Sequence, residues 1–215
     1  MSGYLRVDMT RLSFAEAWRW GGLRHVVVLA VWKLLGIRRF APQLVPDSSG
    51  ITRIDSGDAG EDQRRALSPI LEEVRGSGFE VLFWYKVENR GSGDSVAVAV
   101  LHESGRAMGI VTHVVTGLRR RESVGLVSRR GNGTFLATSN ARTAFDPPPE
   151  IVALRLPGRP APEVCRAHRE RLQGVDVVSI ATADVEPLIV ELQTLAREAA
   201  IRRGLYVPAA GPGER

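Results

Sequence analysis

The chain has 215 residues, 44% of them hydrophobic, which suits one globular domain with an appendage. Its single cysteine, Cys165, excludes an intrachain disulfide and fits a reducing compartment. The formal net charge of +5 lies entirely within residues 1–40, which hold seven basic and two acidic residues, so the remaining chain is neutral. A neutral body argues against nucleic acid as the partner, because polyanions bind proteins through a net positive field.

The segment Ser13–Phe40 predicts a helix over most of its length. Ser13 followed by Glu16 fits a capping box, in which each of the two side chains bonds to the other residue's backbone. Val26–Ile37 is an apolar run of 12 residues interrupted by Lys33, whereas a helix that crosses a bilayer needs about 20 apolar residues. The run predicts a helix that lies in the headgroup region of a membrane or packs on the domain, and both interpretations stay open.

Three of the four tryptophans also lie in this N-terminal segment. Indole rings and basic side chains around a short apolar stretch are typical of helices that bind an anionic membrane surface. Bases after the apolar run favour a cytoplasmic location for the following domain, on the inner face of the cell membrane. The residues expected to contact the membrane are Trp18, Trp20, Arg24, Val28, Trp32, Lys33, Arg38 and Arg39.

Composition divides the chain into four parts. Residues 1–40 are the hydrophobic and basic N-terminal helix. Residues 41–61 are rich in Pro, Gly, Ser and Asp, which is typical of a linker. Residues 62–208 are expected to form an α+β domain that opens with a helix, and residues 209–215 are expected to form a frayed tail.

The stretch Phe79–Asn140 predicts five strands in an antiparallel meander, because short turns join segments in which apolar residues alternate. Asn132 and Gly133 give the strongest hairpin signal, since a type I′ turn needs positive φ at both central positions. The face of the first strand that is expected to be buried carries Phe79, Val81, Phe83, Tyr85 and Val87.

After the meander, the three prolines of Phe145–Glu150 predict an extended crossover, since proline neither continues a helix nor donates to a ladder. A sixth strand is predicted over Ile151–Leu156 and two helices follow it. The expected fold is α+β: an antiparallel meander of five or six strands, preceded by one helix and covered on one face by the two C-terminal helices, with a hydrophobic helix at the N terminus.

Four sequence patterns resemble a set of uncharacterised bacterial proteins: the run GTFLATSNA, the FDPPP crossover, the helix with AHRERL, and the closing RRGLYVP. The similarity runs from about Leu67 to Pro208, and members of the set often carry a hydrophobic N-terminal segment. The resemblance implies no known activity and no catalytic residues. It favours the membrane interpretation of Ser13–Phe40.

Two pairs of side chains invite a chemical interpretation. His102 and His113 are expected on one sheet face but about 20 Å apart along the strands, which is too far for one metal ion, so they are interpreted as edge or surface histidines. Cys165 and His168 share a helix face, where a thiolate–imidazole pair competes with a buried thiol beside a solvent-facing histidine. The second interpretation is favoured, because lone cysteines usually pack as apolar residues.

Two arginine clusters, Arg119–Arg121 and Arg166–Arg171, are candidates for holding phosphate. Glutamates lie among both clusters and the domain is neutral, which favours a solvated face of mixed charge. The sequence contains no Walker loop, GxSxG elbow, HExxH helix or paired CxxC, so no cofactor and no metal are expected.

The function expected from these patterns is a non-enzymatic module that associates with a membrane or with a protein partner. The alternative is a small-ligand-binding or enzymatic domain, with a cavity between sheet and helices lined by Phe83 and Tyr85. Whether the protein is an enzyme, and its oligomeric state, stay open at this point.

Overall fold

The computed structural model describes residues 4–46, 51–87, 95–116, 119–142 and 145–209. The helices are α1 (Phe14–Gly21), α2 (Leu23–Leu34), α3 (Glu61–Arg75), α4 (Ala161–Arg171) and α5 (Val185–Arg202). The strands are β1 (Tyr4–Asp8), β2 (Phe40–Pro46), β3 (Thr52–Ile54), β4 (Phe79–Val87), β5 (Ser95–His102), β6 (Met108–Thr116), β7 (Arg119–Arg129), β8 (Phe135–Ser139), β9 (Ile151–Arg155) and β10 (Tyr206–Pro208).

Seven strands form the main sheet in the order β3-β4-β5-β6-β7-β8-β9. The neighbours from β3 to β8 pair antiparallel, so the expected five-stranded meander is present as β4–β8. β9 adds parallel to β8. The proline-rich crossover between them carries the chain back to the start of β8, because a parallel neighbour cannot be reached through a tight hairpin.

The arginines of the first basic cluster belong to the β6–β7 ladder. Arg119 pairs with Thr116, and Arg121 pairs with Val114. The two basic residues Arg120 and Arg121 therefore lie on a strand.

A β-bulge divides the aromatic face of β4. Val81 pairs with Val100 and Phe83 pairs with Ala99, so Leu82 is the extra residue that shifts the alternation. Phe79 and Val81 pack with the core under α3 and α4, whereas Phe83 and Tyr85 pack with the core under α5. The expectation that all of these residues share one face is wrong on this point.

The helices lie on both faces of the main sheet, so the expected covering of a single face by the two C-terminal helices is wrong. α3 and α4 cover the face that carries the valines of β5, such as Val98. α5 covers the opposite face through Leu188 and Ile189, which pack with Ala97 and Ala99. Alanines leave room on that face for the larger side chains of the helix.

A second sheet joins the two ends of the chain in the order β10-β1-β2, antiparallel throughout. Asp8 N donates to Leu205 O at 2.7 Å, and Ala209 N donates to Tyr4 O at 2.7 Å. Residues 41–61, expected to be a linker, thus contain β3 and nearly all of β2, and they differ from the expectation in being paired. Within the expected tail, residues 210–215 lie outside the described residues.

α1 and α2 form a helical hairpin rather than the one helix expected. The capping box is present, with Ser13 Oγ accepting from Glu16 N at 3.1 Å and Glu16 Oε2 accepting from Ser13 N at 2.7 Å. Gly22 ends α1 at φ +68°, a backbone conformation that favours glycine. The chain turns there, and α2 folds back along α1.

Glu16 anchors this hairpin to the body of the protein. Its fully buried carboxylate accepts hydrogen bonds from Arg203 at 2.6 Å and from the backbone of Asp146 at 2.8 Å, beside the bond from Ser13. Burial alone would raise the pKa of this carboxyl, but these hydrogen bonds outweigh it and lower the pKa to about 2. One side chain thereby links α1, the proline crossover and the end of α5.

Candidate functional site

α2 presents its apolar side outward. Leu29 is the one buried residue of the helix, and it packs with the body beside Leu205. Val27, Val31 and Leu34 follow one another at helical spacing on the side opposite Leu29. They are 53%, 46% and 86% exposed, which reverses the usual arrangement of a surface helix.

These residues belong to a larger set of exposed apolar side chains on the two helices and the turn after them. We call it the hairpin surface, and it consists of Phe14, Trp18, Trp20, Leu23, Val27, Val28, Val31, Leu34, Leu35 and Ile37. Isolated exposed apolar residues are ordinary, whereas this many on one pair of helices is unusual for a monomeric soluble protein.

Most charged side chains around the hairpin surface are basic, although the exposed carboxylate of Asp146 pairs with Arg19. The two acidic side chains of residues 1–40, Asp8 and Glu16, are both fully buried. The seven basic residues of the segment all reach the surface. The fold therefore turns the acids inward and leaves the bases outward, which makes the exposed part of the segment more cationic than its sequence.

The residues expected to contact a membrane lie on or beside the hairpin surface. Trp18, Trp20 and Val28 belong to it, Trp32 is half-buried beneath it, and Arg24 and Arg39 are exposed.

Two of the expected contacts also bind within the protein. Lys33 Nζ donates to Leu12 O at 2.8 Å and lies 5.0 Å from the centre of the Phe14 ring. Arg38 lies 3.5 Å from the carboxylate of Asp8. Both cations are thus held at the border of the apolar surface rather than left free. Among the residues described, no helix is long and apolar enough to span a bilayer.

A second candidate site is a cleft of about 770 Å³ beside the outer edge of β7. β8 pairs with β7 only from Gly125 onward, so the edge of β7 before that point faces the cleft. The opposite wall is the loop that precedes α4. We call this site the arginine cleft; its lining includes Trp20, Val114, Arg120, Arg121, Glu122, Ser123, Asn140, Arg142 and Arg159.

Asn140 sets the spacing of the two walls. Its Oδ1 accepts from Val124 N at 2.7 Å, and its Nδ2 donates to Arg159 O at 2.8 Å. Beyond the end of β8, the Asn140 side-chain amide bonds the backbone of β7 in place of a strand. The same amide joins β7 to the loop before α4.

The chain matches no known protein-family model, no protein among those with curated descriptions, and no solved structure.

Cys165 and His168 do not form a catalytic pair. Both ring nitrogens of His168 are engaged, with Nε2–H donating to Ser128 Oγ at 3.0 Å and Nδ1 accepting from the Thr138 hydroxyl at 3.0 Å. Burial raises the pKa of the Cys165 thiol, so the reactive thiolate is disfavoured. The expectation of a solvent-facing His168 is wrong, since the ring is 1% exposed.

His168 is instead a neutral link between α4 and the sheet. The Ser128 hydroxyl in turn donates to Arg106 O at 2.6 Å, and Thr138 Oγ1 accepts from Arg171 at 2.9 Å. This order fixes the proton on Nε2. Burial, with a smaller contribution from Arg171, lowers the pKa of His168 to about 4.

His102 and His113 also remain apart, as the predicted register requires. His102 N donates to Ala107 O at 2.9 Å, and His113 pairs with Val96. His113 is buried and bonds Glu122 at 2.9 Å, so the expectation of a surface histidine is wrong there. Within the described ranges, no group of three or more His, Cys, Asp or Glu side chains is placed to hold a metal ion.

Phe83 and Tyr85, the residues expected to line a cavity, pack in the core beneath α5. Tyr85 is 3% exposed, and Arg53 lies 4.1 Å from the centre of the Phe83 ring. Neither residue lines the arginine cleft.

Sequence reasoning missed two members of the arginine cleft, Arg142 and Arg159. They lie far along the chain from Arg120 and Arg121, and only the crossover between β8 and β9 brings them together. The second arginine cluster does not line the cleft. Its Arg171 donates to Thr138 of β8 and, at 2.8 Å, to Val152 O of β9, and so connects these two strands.

Proposed function

We propose that the protein is a peripheral membrane module that docks on an anionic bilayer through the hairpin surface. The observation that carries the proposal is the outward apolar face of α2, bordered by cations while both acids of the segment are buried. The inner face of the cell membrane is the proposed location. No catalytic step is included in the proposal.

A bilayer provides partners for both the apolar and the basic side chains of this surface. The apolar side chains enter the boundary between headgroups and acyl chains, and the bases meet lipid phosphates at the same depth. Trp18 and Trp20 suit that boundary because an indole has an apolar body and one polar N–H group. A protein partner would need a matching apolar groove rimmed by acids.

The expected affinity is that of reversible binding. Full burial of a Val or Leu side chain contributes about 1.5–3 kcal/mol, and each basic residue near an anionic surface contributes about 1 kcal/mol. The cost of association and of ordering side chains offsets part of this gain. The affinity should therefore fall steeply when either anionic lipid or apolar side chains are removed.

Liposome flotation tests the proposal with a triple variant, V27Q/V31Q/L34Q, which alters exposed side chains of α2 only. The matched control is V152Q/V178Q/I201Q, at exposed apolar residues outside the hairpin surface. We expect the native protein and the control to float with anionic vesicles and the α2 variant to stay at the bottom.

A truncation that begins at Ala41 is a poorer test, because it removes β1 from the middle of the second sheet. Equal flotation of the α2 variant and the native protein would contradict membrane docking through this surface. If the α2 variant instead lost self-association or a protein partner while flotation stayed unchanged, the hairpin surface would be a protein interface and the proposal would be wrong.

A further inference from the structure

We propose that the arginine cleft binds a phosphorylated small molecule or headgroup, with the phosphate held by guanidinium groups and the attached carbon skeleton lying against Trp20 and Val114. This inference concerns a site other than the outward face of α2, and it does not depend on membrane docking.

Charge in the cleft is only partly neutralised. Arg120 lies 3.2 Å from Asp62, and Arg159 lies 3.5 Å from Glu163. Arg121 and Arg142 make no ion pair within the ranges that the structure describes. The cleft therefore presents two uncompensated cations beside two partly compensated ones.

The lining of the cleft also contains one acidic side chain. Glu122 is the one carboxylate among the lining residues, and it is engaged by His113 Nδ1 at 2.9 Å. The lining nevertheless carries four guanidinium groups against this one carboxylate, so its own side chains have a net positive charge.

Guanidinium groups specify phosphate better than they specify a single charge. Each is planar and donates two parallel hydrogen bonds, which match a pair of phosphate oxygens. Several such groups on different elements hold one anion from several directions. A cleft fixed by Asn140 between β7 and the loop before α4 keeps these elements at a constant separation.

The size of the cleft indicates more than a bare anion. About 770 Å³ lies within the range of small-molecule sites, which is roughly 300–1,000 Å³. Trp20 and Val114 supply an apolar part of the lining. Trp20 is also held in place, because its ring packs edge-on against Phe145 with centroids 6.4 Å apart.

Isothermal titration calorimetry with inorganic pyrophosphate tests the inference on the full chain. The variant is R121Q/R142Q, which removes the two exposed cations that form no ion pair with any residue the structure describes. The control is R75Q/R166Q, which removes the same charge from exposed arginines of α3 and α4. We expect saturable binding to the native protein and the control, and at least tenfold weaker binding to R121Q/R142Q.

Vesicles distinguish the two sources of phosphate. A preference for phosphatidic acid over phosphatidylglycerol at equal charge, lost in R121Q/R142Q, would assign the cleft to a lipid headgroup. Pyrophosphate binding without such a preference would assign it to a soluble phosphorylated molecule. No saturable pyrophosphate binding, or equal affinity in R121Q/R142Q, would overturn the inference. The hairpin variant V27Q/V31Q/L34Q should bind pyrophosphate like the native protein, so failure of docking and failure of the cleft are separable.

Discussion

Single side chains at two buried positions connect the segments of this protein. Glu16 joins the hairpin to the end of α5, and His168 joins α4 to the sheet. Both groups have pKa values lowered by their surroundings, but for different reasons. Glu16 is held ionised by donors, whereas His168 is held neutral by burial and by a closed set of hydrogen bonds.

Replacement of Glu16 by glutamine should destabilise the protein by about 3 kcal/mol at pH 7, because Arg203 loses its buried anionic partner. The matched control is Glu198→Gln, whose exposed pair with Arg202 should cost less than about 1 kcal/mol. Urea denaturation measures both. Equal costs would contradict the anchoring role of Glu16.

The lowered pKa of Glu16 also predicts that the protein loses folding stability at acidic pH. The folded-state pKa of Glu16 is about 2, against an ordinary value of 4.5, so its contribution is complete above pH 4.5 and is lost as the pH falls toward 2. E16Q should lack this part of the pH dependence. A native-like acid limb in E16Q would assign it to other carboxylates.

The lowered pKa of His168 predicts a separate loss of folding stability at less acidic pH. Its pKa falls from an ordinary value of 6.5 to about 4 on folding, so the unfolded chain binds the proton more tightly. Stability from this residue is complete above pH 6.5 and falls by about 3 kcal/mol as the pH drops to 4. Urea denaturation of H168Q should show no loss in this window, and the control H25Q, at an exposed histidine, should behave like the native protein.

At the scale of elements, the two sides of α2 should differ in how much their residues contribute to the stability of the protein. Leu29→Ala should destabilise the protein by about 2–4 kcal/mol, because Leu29 is 2% exposed in the core beside β1 and α5. Leu34→Ala should change stability by no more than about 0.5 kcal/mol, since Leu34 is 86% exposed. Thermal or urea unfolding measures both. A large cost at Leu34 would show that the outward face packs against part of this chain.

Elements with local signals were predictable from the sequence. The meander follows from short turns between alternating segments, and the α1 start follows from Ser13 and Glu16, since each signal lies within a few residues. The bulge at Leu82 has no such signal. The side of the sheet that α5 covers also depended on distant residues, because alternation in β5 supplies an apolar face in both directions.

At the scale of the whole molecule, the feature that the sequence did not indicate is the pairing between the two ends of the chain. β1 lies between β2 and β10, and no local pattern marks a partner some 200 residues away. The N-terminal segment is therefore built into the fold, although its charge and tryptophans suggested a separate piece. Of the residues expected to contact a membrane, Trp18, Trp20 and Val28 belong to the hairpin surface, whereas the arginine cleft required the tertiary structure.

This integration fixes the two candidate sites relative to each other. Trp20 belongs to the hairpin surface and also lines the arginine cleft, so the two sites meet at one side chain. If both proposals hold, a ligand in the cleft would therefore lie beside the hairpin surface.

The most direct test of the account is an environment-sensitive fluorophore on V31C, compared with one on V152C, in the presence of anionic vesicles. Cys165 is 4% exposed and should react slowly, so labelling is selective for the introduced thiols. Membrane docking predicts a blue-shifted emission at position 31 and none at position 152. An unchanged emission at position 31, or an equal shift at both positions, would contradict it.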